Sequence, residues 1–205
     1  MNELYEALKG FTDVPLAVLS FLFALLCRKH RASKEWTTLF FVVAAAALLG
    51  AIVHGVALPP LVGALMWVVL YPLLFEAVRR FGVVFGAFAD GQNKPTPRPI
   101  WIAELLLYIG AVAMMFAIYK NASLNFDILV FIAFAVIVFV YTLVRMVKAP
   151  KLPRLAVAFV ALLAVPVLLQ AFEAFIPYAV VIEHTFLAVA LFIAYRIALK
   201  TKTEA

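Results

Sequence analysis

Asp13, His54, Asp127, Glu173, Glu183 and His184 are ionisable residues set inside long apolar runs or at their ends. Such positions are costly in lipid and are functional-site candidates by default. Neutral imidazoles and carboxylates are the usual ligands of zinc, and a zinc with an open position lowers the pKa of its bound water to about 7, which is hydrolytic chemistry. The same residues could instead relay protons, bind a cation, or tie helix ends together as a hydrogen-bonded network. His54 and His184 are the candidate metal ligands, with zinc as the ion, and Asp13, Glu173 and Glu183 are the candidate catalytic carboxylates. Taken singly, Asp13, Asp127 and Glu173 suit structural roles, because water and helix N-termini satisfy carboxylates near span ends. Asp13 stands two residues before Pro15, an ordinary helix-start cap. Glu183 and His184 lie deeper; as helix neighbours they point about 100° apart, so only one can face a given cavity squarely.

Those residues are carried by a chain with a hydrophobic fraction of 67% and a charged fraction of 14%. Average soluble proteins hold roughly 45–50% and 25%, so lipid must be the solvent. Seven segments are long and apolar enough to span, and they predict an all-α, seven-transmembrane helix bundle forming one domain over residues 1–205. They are Phe11–Cys27, Trp36–Leu58, Leu61–Val78, Ile100–Tyr119, Leu124–Val147, Leu155–Phe172 and Phe175–Leu199. Pro15, Pro72 and Pro166 read as kinks inside spans one, three and six, since neighbouring helices re-satisfy the freed carbonyls. All but two of the 17 lysines and arginines, Lys9 and Lys120, fall in the loops after spans one, three and five or in the tail. That split predicts an N-terminus outside, a C-terminus in the cytoplasm, and a multi-pass protein of the cell membrane. It also brings the six residues above to one level near the outer leaflet, contributed by five helices.

The basic balance, pI about 9.6, therefore reports topology and not nucleic-acid binding. Met1–Gly10 lacks a basic n-region, so no cleavable signal is expected. Cys27 is the single cysteine, which excludes an internal disulfide or a cysteine-rich metal site. Residues 81–99 (FGVVFGAFADGQNKPTPRP) read as a flexible cytoplasmic loop, with Phe81, Val84, Phe85 and Phe88 in the interface. Trp36 and Trp101 read as interfacial anchors. Ala47, Ala51 and Gly55 form a small-residue stripe on span two, for close packing within the chain or for a homo- or hetero-oligomer. Glu76 precedes Arg79 and Arg80 at ion-pair spacing, and Glu104 stands near Arg98. No lysine lies mid-way along span seven, which excludes a retinal protein, and there is no phosphate-binding glycine loop or Gly-x-Ser-x-Gly elbow.

Thr12-Asp13 opening span one, Leu49-Gly50-Ala51-Ile52-Val53-His54-Gly55 closing span two, Trp67, Glu183-His184 and Ala194-Tyr195-Arg196 together resemble a family of seven-helix bacterial membrane proteins of unknown function, DUF6962. More remotely the layout resembles the superfamily of alkaline ceramidases and progestin/adiponectin-type receptors. That resemblance implies a membrane hydrolase with an intramembrane zinc, His54 matching a ligand at the end of span two and His184 one of a pair in span seven. The second histidine of that pair has no counterpart: Val180 stands four residues before His184 and Ala188 four after.

Two functions are thus expected from different classes. One is a metal-dependent hydrolase-like protein acting on a lipid or amide. The alternative is a non-enzymatic complex subunit, sensor or small carrier without metal. The topology is testable directly: in a Cys27→Ser background, a cysteine placed in Arg28–Glu35 should resist an impermeant thiol reagent applied to intact cells. A cysteine at Ser123 should react, and the opposite labelling reverses the orientation.

Overall fold

The computed structural model describes residues 2–91, 96–118, 126–149 and 179–200, with isolated positions at 154, 157, 158, 160, 164, 165 and 169. Among them run six helices: α1 (Asn2–Lys29), α2 (Lys34–Gly55), α3 (Pro60–Asp90), α4 (Arg98–Ile118), α5 (Phe126–Val147) and α6 (Ala179–Ala198). Five stretches are long and apolar enough to cross a membrane: Gly10–Lys29, Lys34–Gly55, Pro60–Ala89, Val130–Val147 and Ala179–Ala198. The expected sixth span, Leu155–Phe172, lies largely outside the described residues. The chain divides into two compact units, one of residues 1–57 with 152–205, the other of Leu58–Lys151.

In the first unit α1 packs on both α2 and α6. Gly10, Asp13, Ala17, Ser20, Ala24 and Cys27 recur at alternating three- and four-residue steps along α1, and all six are buried. So short a seam lets backbones meet, which is how apolar helices associate where lipid removes the hydrophobic drive. The contact is tightest at Gly10, where a Cβ would lie 2.5 Å from the Cα and backbone nitrogen of Gly55 and 3.0 Å from the Ala51 carbonyl oxygen. The stripe on span two thus receives α1 of the same chain. Larger rings close the other end of the seam. Phe23 stands edge-on to Phe40 at 5.7 Å and stacks on Tyr195 at 4.7 Å with planes 5° apart. Trp36 stacks on Phe40 and is 2% exposed, so it is a core residue and not an interfacial anchor.

The second unit is built from α3, α4 and α5 around Tyr71, Phe75, Ile100, Phe134 and Val138. Its α3 overturns part of the loop expected over residues 81–99: the helix runs on to Asp90, and Gly91 at φ 67° ends it. At 1.5 Å per residue its 31 residues reach about 46 Å, more than the roughly 30 Å of a hydrocarbon core. The extension is helical because Gly82 and Gly86 present a groove to α5. A Cβ on Gly82 would lie 2.5 Å from Val138 Cγ1, and one on Gly86 would run into the Arg145 guanidinium. Val84 and Phe85 are buried beside them and do not lie in an interface. Glycines that read as loop signals are helix-packing residues.

A Cβ on Gly63 or Gly110, in contrast, meets nothing within 4 Å. Gly10→Ala and Gly82→Ala should therefore each lower the stability of the purified protein by about 1–3 kcal/mol, the usual cost of overpacking. Gly63→Ala and Gly110→Ala should leave it unchanged or raise it by about 0.5–1 kcal/mol, because alanine orders a helix more readily. Unfolding curves in one detergent compare all four.

Candidate functional site

Asp13 and His184 stand 171 residues apart in sequence and meet inside the first unit. Asp13 is buried on the α1 seam. Its carboxylate fits because the facing residue of α2 is Gly50, where a Cβ would lie 2.7 Å from Oδ2. His184 comes from α6, and its Nε2 stands 2.9 Å from Asp13 Oδ1. Its Nδ1 donates to the carbonyl of Val180, one turn earlier, at 2.7 Å. The two side chains are 14% and 12% exposed, so no bulk solvent competes for these bonds.

The protons at this pair can be counted. A carbonyl only accepts, so Nδ1 must carry hydrogen. A carboxylate also only accepts, so the Nε2–Oδ1 contact needs one further proton. That proton sits either on Nε2, giving imidazolium and carboxylate, or on Oδ1, giving imidazole and carboxylic acid. Both forms have zero net charge, the condition under which ionisable groups are tolerated in an apolar interior.

In this arrangement both nitrogens of His184 are engaged, Nδ1 by the Val180 carbonyl and Nε2 by Asp13. Among the described residues no group of three or more histidine, cysteine, aspartate or glutamate side chains is gathered that could hold a metal ion. His54 sits in the last turn of α2, one turn beyond Gly50, and is partly buried. Glu183 precedes His184 on α6 and is partly buried. Asp127 lies in the first turn of α5, in the other unit. Glu173 lies outside the described residues. Ser20 is fully buried two turns along the seam from Asp13, and its hydroxyl has no partner.

A second polar cluster occupies the second unit. Glu76 takes Arg79 Nε at 2.9 Å and Arg79 Nη2 on Oε2, and Arg80 Nε at 2.5 Å on Oε1. These are the local pairs that the spacing predicts. Glu104 faces Arg79, with Oε2 3.0 Å from Nε, where the sequence placed it near Arg98. Arg79 also donates from Nη1 to Thr96 Oγ1 at 2.9 Å, and Trp101 covers its guanidinium face at 3.8 Å. Trp101 is therefore a cap on a buried cation, a role that sequence alone did not suggest.

Among the described residues, six helices, five containing stretches apolar enough to cross a membrane, with a buried carboxylate–imidazole pair in one unit, define a helical protein of membrane type. The chain belongs to the family of unknown function DUF6962, which it matches over residues 8–203. No curated protein and no solved structure matches it, so the remote likeness to ceramidases and progestin/adiponectin-type receptors gains no support.

If Asp13 and His184 stabilise one another, Asp13→Ala and His184→Ala should each cost about 1–3 kcal/mol, the price of a buried polar group left unpaired. The double variant should cost little more than either alone, as coupled residues do. Strict additivity in the unfolding free energies would mean that the pair is not formed.

Proposed function

We propose that this chain is a seven-span protein of the cell membrane, N-terminus outside, in which Asp13 and His184 hold one exchangeable proton near the outer face. It acts as a non-enzymatic sensor or small carrier. The observation that carries this reading is that both ring nitrogens of His184 are bonded, to Asp13 and to the Val180 carbonyl. A hydrolase would need His184 to release Asp13 from Nε2 and turn that nitrogen's lone pair to zinc, with Nδ1 still held by the Val180 carbonyl.

A proton is the natural cargo or signal for such a pair. With one shared proton the site is neutral; gaining or losing one leaves a net charge in an apolar interior, which is expensive. The surroundings offer little to absorb that charge. On α2 the pair meets Gly50, with His54 one turn further out, and on α6 the neighbour is Glu183. The cost falls on the packing of α1 against α2 and α6, which is how a change in proton number would reach the helices. The one-sided distribution of lysine and arginine supports the orientation.

Two measurements on the purified protein test this. Its metal content should be far below one zinc per chain and unaffected by His184→Ala. Nitrogen-15 spectra of labelled histidine should show one His184 ring nitrogen, Nδ1, protonated throughout, with the second changing state only together with Asp13. Stoichiometric zinc that is lost in His54→Ala and His184→Ala would overturn the proposal and restore the hydrolase.

A further inference from the structure

Cations gather where α1 hands over to α2, at the end of the first unit away from Asp13 and His184. Arg28 and Lys29 close α1, Lys34 opens α2, and Arg31 stands in the turn between; all four are exposed. The turn is tight. The Ala32 N–H donates to the Cys27 carbonyl at 2.9 Å and the Arg31 N–H to the Arg28 carbonyl at 3.2 Å, the bonding that ends a helix on a left-handed residue. Arg31 is that residue, at φ 57°, a conformation that glycine adopts more readily. Glu35 is the one acid between Arg28 and Trp36, so this surface keeps a net positive charge.

Packing sets the two helix ends side by side. Phe21 on α1 and Phe41 on α2 meet edge to face, with ring centroids 5.8 Å apart. Arg28 stands seven residues after Phe21, and Lys34 seven residues before Phe41, which is the same direction along an antiparallel partner. Seven residues are close to two turns, so each cation shares a helix face with its phenylalanine and lies about 10.5 Å further along. Both cations therefore rise from one side of the hairpin at one level. Next to them the surface is apolar: Phe21, Leu25 and Phe41 are 48%, 42% and 37% exposed.

We propose that this face binds an anionic glycerophospholipid, with its phosphate between Arg28 and Lys34, beside Arg31, and one acyl chain along Leu25, Phe21 and Phe41. Packed helix axes lie roughly 8–10 Å apart, a gap that two long basic side chains can close on a single phosphate. Cations followed by about two turns of exposed apolar side chains reproduce the order of the lipid itself. A soluble phosphate would use only the first part. Lysines and arginines just outside a membrane span select anionic headgroups, each contributing about a factor of five in binding.

Native mass spectrometry of the full chain in detergent tests this, with dioleoylphosphatidylglycerol, dioleoylphosphatidylcholine and glycerol 3-phosphate as probes. One phosphatidylglycerol per chain should bind at least about tenfold tighter than phosphatidylcholine, as two cations allow. Arg28→Gln with Lys34→Gln should remove that preference, with the melting temperature of the lipid-free protein unchanged because both positions are exposed. Arg196→Gln with Lys200→Gln takes the same charge from exposed positions on α6, which meets α1 at Phe23, on the far side from Phe21. That variant should keep the preference. Equal loss in the two double variants, which would mean diffuse attraction, equal binding of the two lipids, or glycerol 3-phosphate binding as tightly as phosphatidylglycerol would overturn the proposal.

Discussion

A buried polar atom in an apolar helix bundle has no water to fall back on, so each must find its partner inside the fold. The described side chains follow this rule closely. Thr12, Thr37, Thr38, Thr142 and Thr185 each donate to the carbonyl four residues earlier, keeping their hydroxyls within their own helix. The carbonyl that Pro72 frees is taken by Tyr108. Asp13 and His184 answer the same demand between helices: one shared proton joins Nε2 to Oδ1, and the Val180 carbonyl accepts the proton of Nδ1. Position 184 therefore depends on a backbone group as much as on Asp13.

Among the described residues two buried oxygens break the rule, Ser20 Oγ and Glu104 Oε2. They differ in kind. Ser20 lies in a closed seam of small residues, and a hydroxyl there carries no charge, so the shortfall is modest. Glu104 is ionisable and is paired with Arg79, whose Nε lies 3.0 Å from Oε2 while donating to Glu76.

How much of this was legible depended on the distance over which the information travels. Glu76 with Arg79 and Arg80 could be read directly, because spacings of three and four place side chains together on any helix. The stripe through Ala51 and Gly55 was equally plain as a close-packing surface. The spans that the structure describes were readable from length and hydropathy. Asp13 and His184 were both singled out, but as separate candidates, since a period of 3.6 fixes which residues share a face of one helix and says nothing about which helices meet. The choice of Arg79 by Glu104 was hidden for the same reason. Gly82 and Gly86 misled in another way: glycine marks loops in soluble proteins, while in apolar helices it marks contact, and here α5 supplies the partner that makes the helix continue.

Glycine also explains where the buried charges can lie. Asp13 rests on Gly50, and the Arg145 guanidinium rests on Gly86. In each case an ionisable head from one helix occupies the space where a Cβ on its neighbour would stand. That placement encloses the charge in peptide backbone, whose dipoles are fixed and polar, in place of side-chain hydrocarbon. A larger residue at either glycine would push the head outward and turn a solvated group into an exposed charge in lipid. The small residues of α2 and α3 are thus part of the polar sites they face, and the carboxylate at position 13 can face His184 because position 50 carries no side chain.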